Sequence, residues 1–328
     1  MRIAIISMAW YDFGGWPTYT KHLSRGLTDN GIKHSIICGK NKPRKGWRSI
    51  LPFGDWDDIK KSDLIYIVCF RAKEAKIVDK ILKYKKPIIL LLHDPTEWKP
   101  KNAVHLIRKL KPKQIHFIGK MPKARFGFDN PMFSKKLLHV HLHPYKRISD
   151  GKTMRKGARR AICTSRIDFD KRTHVILQAE CGVEFWTGYY DWRYVGKMGF
   201  KKAKEIPGYK GQFGFSDEDL RKVYEGAAAL VDMSTIKGDG GRTQYTFLEA
   251  MDFGLSMVLP ADWAKSARSE LLPGVHFYPV RKVDDIRKGI SEAVRKGNKY
   301  KKEHEKILKN HNAKKVCKKL VETFEEAI

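Results

Sequence analysis

KGDGGRTQYTFLEAMDFG, residues 237–254, joins a polar glycine-rich loop to an amphipathic helix that carries one inward-facing carboxylate, Glu249. Gly238, Gly240 and Gly241 let backbone come close to a ligand. The first turn of the helix, near Thr246, offers unpaired N–H groups and the positive end of a dipole. The stretch reads as a phosphate cradle, with Glu249 one turn further in, where it can accept hydrogen bonds from sugar hydroxyls. A plain strand-to-helix turn has the same pattern, so the surroundings decide. ALVDMS (229–234) precedes the loop and SMVLPA (256–261) follows the helix, which makes a strand, loop, helix, strand unit.

The same alternation runs outward in both directions. In the first half RIAIIS, HSIICG, DLIYIVC, PIILLLH, QIHFIG and LLHVHLH read as strands, with helical patterns in YTKHLSRGLTDNG, AKEAKIVDKILKYK and KNAVHLIRKLKPK. After the polar linker ISDGKTMRKGARR a second series begins with RAICTS, THVILQAEC, EFWTGYY and SDEDLRKVYEGA, where Ser216 reads as an N-cap followed by acidic residues. Short β-branched runs alternating with helices are the pattern of parallel sheets covered on both faces. The expected architecture is α/β with two Rossmann-like domains, 1–147 and 148–310, and a C-terminal helix, 311–328, that packs back on the first domain. At 328 residues the chain is long for one core and comfortable for two.

A formal charge of +30, from 66 Lys and Arg against 36 Asp and Glu, attracts polyanions: nucleic acid, anionic lipid headgroups or nucleotide phosphates. Charge alone does not choose among them, and a lysine-rich solvated surface explains much of it. Cys38, Cys69, Cys163, Cys181 and Cys317 show no metal spacing, and the first three sit in apolar runs, as reduced core residues of a cytosolic protein do. IAIISMA is too short for a signal segment, and no apolar run approaches the ~20 residues that span a bilayer. A cytoplasmic location is expected, the host cytoplasm if the chain is phage-encoded.

Four constellations could carry chemistry. Gly14 and Gly15 lie between the first strand and the first helix, where ligands of open α/β sheets collect; the G-x-G-x-x-G of a nicotinamide fold is missing. In TSRIDFDKRTHVILQA, Arg166 follows a strand and Lys171 comes before a helix, a pair able to neutralise a diphosphate, although a solvated loop explains them equally well. His93 and Asp94 close an apolar strand, which suits an acid/base role, a hydroxyl contact or a structural histidine. His139, His141 and His143 alternate and would share one strand face. Such a trio can bind zinc, but nothing nearby completes a tetrahedral set, and no metal is expected.

Together these residues resemble the GT-B nucleotide-sugar glycosyltransferases of the large retaining family. SRIDFDKRTHVILQA is similar to that family's G-R-x-x-x-x-K-G-x-x-x-L-x-x-A, with Ser165 in place of glycine and Arg166 and Lys171 kept in type and spacing. LEAMDFGLSMVL is similar to its L-E-A-M-A-x-G-x-P-V-V, and Gly14-Gly15 to its N-terminal glycine loop. TQYTFLEAMDFG also resembles a segment of the DNA α-glucosyltransferase of T-even phages. One position departs: the family places a second glutamate eight residues before the helix glutamate, where this chain has Gly241, and Asp239 is the candidate substitute.

The resemblance implies two domains facing across a cleft and a nucleoside-diphosphate sugar, UDP-linked, as co-substrate without a further cofactor. It implies that Arg166 and Lys171 stabilise the departing diphosphate, aided by N–H groups around Gly15 and around Gly241, Arg242 and Thr243. Glu249 would hold the ribose, His93 would contact the donor sugar and Asp94 would orient it or the acceptor. Asp239, Gly240, Tyr245 and Thr246 complete the donor set. Two acceptors remain open: hydroxymethylated bases of double-stranded DNA, or a lipid-linked or cell-envelope acceptor reached at an anionic membrane surface. Aromatic residues near the first glycine loop, Trp10, Tyr11, Phe13 and Trp16, could stack on a flipped base or simply pack. A non-catalytic nucleic-acid-binding relative is the reading outside enzymology.

Overall fold

The structure, a computed structural model, describes residues 1–7, 15–38, 51–68, 75–92, 101–131, 133–134, 137–149, 158–214, 216–235, 243–264 and 269–328. The chain divides into two compact units, Met1–Lys146 with Asn310–Ile328, and Arg147–Lys309.

Unit 1 begins β1 (Arg2–Ile6), α1 (Gly15–Asp29), β2 (Lys33–Ile37), β3 (Leu64–Ile67), α2 (Ala75–Leu82) and β4 (Ile88–Leu92). It continues with α3 (Lys101–Leu110), β5 (Gln114–Ile118), α4 (Lys120–Asp129) and β6 (Leu138–His141). All six strands pair in parallel in the order β2-β1-β3-β4-β5-β6. Every residue of β3, β4 and β5 is buried, as expected of central strands covered on both faces, which is why β3 and β4 read as apolar runs, while β5 also buries Gln114 and His116. β6 lies at the edge and is only partly buried beyond Leu138, so it admits His139 and His141. The strand ends at His141, so His143 lies beyond it and stacks near His311, with ring centroids 6.2 Å apart, rather than sharing the strand face with the other two.

Unit 2 contains β7 (Arg160–Cys163), α5 (Thr173–Gln178), β8 (Val183–Trp186), α6 (Trp192–Lys197), β9 (Tyr209–Gly211) and α7 (Asp217–Tyr224). β10 (Ala227–Val231), α8 (Tyr245–Asp252), β11 (Ser256–Pro260), β12 (Tyr278–Val280), α9 (Asp284–Lys296) and α10 (Lys301–Asn310) follow. Its six strands are again all parallel, in the order β12-β11-β10-β7-β8-β9. Ser216 caps α7 as its sequence predicts: its hydroxyl accepts from the Asp219 N–H at 3.0 Å, and the Asp219 carboxylate reaches back to the Ser216 backbone and hydroxyl. The segment entering unit 2 is anchored by Asp252, whose carboxylate accepts from the N–H groups of Ile148 and Ser149 at 2.7 and 3.0 Å. Arg221 closes the same segment by donating twice to the Ile148 carbonyl.

The chain then returns to unit 1 with α11 (Ala313–Glu325), which lies against α1. Tyr145 and the turn before α11 exchange backbone bonds: the Tyr145 N–H donates to the His311 carbonyl at 2.7 Å, and the Ala313 N–H to the Tyr145 carbonyl at 3.0 Å. Phe324 of α11 rests on Tyr66 and His116, and the Thr323 carbonyl accepts from Gln114 at 2.7 Å. The buried side chains of unit 1 are therefore covered in part by the last helix of the chain. Cys38, Cys163 and Cys317 are buried free thiols and Cys181 is partly buried; Cys69 lies outside the described residues.

Candidate functional site

β7 ends at Cys163, and the loop that follows carries Arg166 and Lys171. One carboxylate organises that loop: Asp168 pairs with the Arg166 guanidinium at 3.3 Å through one oxygen and accepts the Lys171 N–H at 3.0 Å through the other. Arg166 also lies over the Tyr189 ring, 5.5 Å from its centroid, and its side chain remains exposed. The loop is joined to the end of β10 at several points. The Ser165 hydroxyl donates to the buried Asp232 carboxylate, Arg172 Nε donates to the Met233 carbonyl at 2.6 Å, and the Thr235 N–H donates to the Asp170 carbonyl at 2.7 Å. Arg172 adopts a left-handed backbone with φ +46°, an uncommon conformation for a non-glycine residue that this set of bonds holds in place.

Asp232 also takes the hydroxyl and the N–H of Ser234. With its proton given to Asp232, the Ser234 oxygen accepts from Lys171 Nζ at 2.7 Å, and Nζ donates again to Gln244 Oε1 at 3.2 Å. Gln244 is the N-cap of α8 but makes no side-chain capping bond. The ammonium of Lys171 is thus tied to the residue at the positive end of a helix, and among the described residues its partners are neutral oxygens. A cation at that end of a helix is disfavoured by roughly 0.3–1 kcal/mol unless an anion joins it. By charge and by donor supply the place suits an anion.

Glu249 is buried one turn inside α8 and accepts the Tyr224 hydroxyl at 2.7 Å; that hydroxyl also meets Thr164 Oγ1 at 2.9 Å. Burial first, and the Glu249 carboxylate second, push the Tyr224 phenol well above its ordinary range, so it remains a donor. Thr243 is buried and donates to Glu270 at 2.8 Å, Tyr245 is buried, and the Thr246 hydroxyl is enclosed with no hydrogen-bond partner among the described residues. The structure therefore brings Arg166, Lys171, Thr243, Tyr245, Thr246 and Glu249 onto the β7 and β10 loops and α8 of one unit. Gly15 opens α1 of unit 1. His93, Asp94, Gly14, Asp239, Gly240, Gly241 and Arg242 lie outside the described residues.

Sequence reasoning passed over Asp168, Tyr224, Ser234 and Gln244. Ser234 and Gln244 flank the glycine loop, and small polar residues closing a strand and opening a helix were the available signal. Among the described residues no group of three His, Cys, Asp or Glu is arranged to hold a metal ion. His116, His139 and His141 do gather, with ring centroids 5.4 and 5.6 Å from His116. Burial holds the His116 imidazole well below its usual range, and the neighbouring imidazoles lower it further.

No family model and no curated protein matches the sequence. Solved structures match closely in shape. Anabaena HepE in complex with UDP-glucose superposes with a TM-score of 0.76 at 13% identity, covering 99% of this chain and 100% of that one. The T4 α-glucosyltransferase, bound to UDP and a 13-mer DNA containing an HMU base, gives 0.69 at 14% identity over 100% and 99%. The lipopolysaccharide outer core galactosyltransferase WaaB gives 0.61 at 15% over the full length of both. These neighbours are glycosyltransferases with two Rossmann-like domains. Two parallel six-stranded sheets, each with its helices, give this chain the GT-B fold.

Proposed function

We propose that the chain is a retaining glycosyltransferase that moves a hexose or pentose from a UDP-sugar to a hydroxyl group on hydroxymethylated bases of DNA. The observation that carries the reading is Lys171, an ammonium tied to neutral oxygens at the positive end of α8, next to a loop that carries Arg166. A diphosphate leaving group supplies the missing anion. Arg166 and Lys171 neutralise the charge that develops as the bond from the anomeric carbon to the phosphate oxygen breaks, and the first-turn N–H groups of α8 add to that stabilisation. Glu249, fixed by Tyr224, accepts from the ribose hydroxyls. The acceptor hydroxyl attacks the anomeric carbon from the face that UDP leaves. Its proton passes to the departing phosphate oxygen, so configuration is kept and no protein nucleophile is consumed. The cations of Arg166 and Lys171 do at the leaving group what a divalent ion does elsewhere.

The net charge of +30 and the DNA-bound T4 neighbour support a DNA acceptor. WaaB, named for the lipopolysaccharide outer core, supports the second reading, a cell-envelope acceptor. No helix among the described residues is long and apolar enough to cross a membrane. The test is to incubate the protein with a panel of UDP-sugars and with plain or hydroxymethylated DNA, and to weigh the digested nucleosides by mass spectrometry. A hexose or pentose mass on the modified base is expected, and UDP release without acceptor should disappear in Arg166→Ala. UDP release with no mass added to any base moves the acceptor to the cell envelope. No release with any UDP-sugar overturns the enzyme reading.

A further inference from the structure

The large apolar side chains most exposed among the described residues include four aromatics, and all four lie in one short part of unit 2: Phe169, Tyr189, Tyr190 and Trp192, exposed by 44, 49, 44 and 72%. The two segments that carry them run side by side. The Ile167 N–H donates to the Tyr189 carbonyl at 3.1 Å, the Asp191 N–H donates to the Ile167 carbonyl at 2.9 Å, and Ile167 bridges to Tyr190. The result is a ledge with a defined backbone rather than a set of stray side chains.

Cations alternate with the rings. Lys197 lies 5.0 Å from the centre of the Phe169 ring and Arg193 5.4 Å from the Trp192 ring. Arg193 and Lys197 are four residues apart on α6 and so share a face. Lys201, Lys202 and Lys204 follow, all exposed. The carboxylates close in sequence are already occupied. Asp191 caps α6 by accepting from the N–H groups of Arg193 and Tyr194, and Glu205 accepts from those of Lys201 and Lys202. Among the described residues none of these five cations is in an ion pair.

Exposed aromatic faces interleaved with unneutralised cations call for a partner that is planar, stackable and repeatedly anionic. A lipid headgroup supplies charge without a π face, and duplex DNA hides its bases. We propose that this ledge binds single-stranded DNA, with bases stacked on Tyr190 and Trp192 and phosphates seated on Arg193, Lys197 and the lysines of 201–204. The choice of DNA over RNA rests on the acceptor proposed above; stacking and phosphate binding do not depend on it. Arg166 stands beside Tyr189, so a strand held here lies next to the loop assigned to the leaving group.

The test is fluorescence anisotropy of a labelled oligothymidylate of about 15 nucleotides with the full-length protein across a salt series, without any sugar donor. Tyr190→Ala/Trp192→Ala should bind at least tenfold more weakly at every salt concentration with an unchanged salt slope, and Trp192→Phe should restore binding. Arg193→Gln/Lys197→Gln should flatten the slope of log K against log salt by about 1.4, two phosphate contacts at about 0.7 each. Acceptor-free UDP-sugar hydrolysis should be the same in all these variants as in the parent, which also shows that unit 2 is folded. Unchanged affinity in the double aromatic variant, or a loss of binding to duplex DNA, RNA or anionic vesicles in that variant as large as its loss for the oligothymidylate, overturns the proposal. The expected binding pattern in a parent that hydrolyses no UDP-sugar leaves the ledge standing and removes the proposed reaction.

Discussion

Lys171 sits where an isolated helix would repel it, and that placement separates a functional lysine from a decorative one. Lys171→Met removes the charge while leaving Ser234 bound to Asp232. UDP-sugar turnover should fall by about 10²–10³ at saturating donor, while the melting curve should change by no more than about 1 kcal/mol, since a helix-end repulsion goes with the lost bonds. A large loss of stability with little loss of turnover would make Lys171 a structural strut. A second residue gives a pH dependence. His304 is buried in unit 2, its Nε2–H donating to the His276 carbonyl at 2.6 Å and its Nδ1 accepting from the Asn298 amide at 3.1 Å. Burial lowers its pKa from 6.5 to about 4, and a proton on Nδ1 would oppose the Asn298 donor. The unfolded chain therefore takes up this proton first. The stability His304 contributes is complete above pH 6.5 and is lost as pH falls toward 4, by about 3 kcal/mol in all. His304→Gln should flatten urea-measured stability across that window. A slope unchanged by the substitution would place the acid sensitivity elsewhere.

The same scale shows how far the positions of the candidate site residues could be read from sequence. Arg166, Lys171 and Glu249 were legible because each occupies a fixed step from a strand end or helix start, which local spacing records. Ser234, Gln244 and Tyr224 were not, because their partners belong to loops brought together only by the parallel order of β7 and β10.

Among elements, the apolar strands were readable, and the two three-residue edge strands of unit 2 were not. β9 has three residues and ends in Gly211, while β12 is Tyr278-Pro279-Val280, with a proline tolerated because the strand lies at the edge of its sheet. α4 contains Pro122 and Gly127 and has no apolar stripe to betray it. EFWTGYY read as one strand, but β8 stops at Trp186, which frees Tyr189 and Tyr190 for the ledge. The contact between α1 and α11 is also written in a single residue. A Cβ on Gly26 would stand 2.4 Å from the Cys317 sulfur and 2.7 Å from the Ala313 carbonyl oxygen. Gly26→Ala should therefore lower the melting temperature of unit 1, with the overpacking cost of about 1–3 kcal/mol exceeding the ~0.5–1 kcal/mol that alanine gains in a helix interior. Calorimetry showing a stabilised protein would mean that the two helices separate easily.

At the scale of the molecule, the chain leaves unit 1 at Lys146 and rejoins it at Asn310. Fragment 147–309 is a continuous unit with its own sheet and should melt cooperatively by itself. Fragment 1–146 lacks the helix that covers Tyr66 and His116, and should show weak or absent cooperativity until residues 310–328 are joined to it through a flexible linker. Cooperative melting of 1–146 alone, equal to that of the joined form, would show that α11 is dispensable. The paired Rossmann-like series was legible in the alternating pattern, because each half repeats strand and helix in its own stretch of chain. The strength of the α11 anchor was not, since Phe324 and Gln114 are brought together by tertiary structure alone.

The return of α11 has a consequence for biosynthesis. A polypeptide leaves the ribosome from its N-terminus at about 5–20 residues per second, and domains generally fold as units in that order. Here the unit begun first is completed last, because its covering helix is translated after all of unit 2. During that interval the nascent chain carries a finished second unit and an open first one, with β3 and β5 awaiting Phe324. Translation that stops short of residue 313 would release a species with an intact second unit and an exposed apolar surface on the first, a natural target for chaperones and proteases.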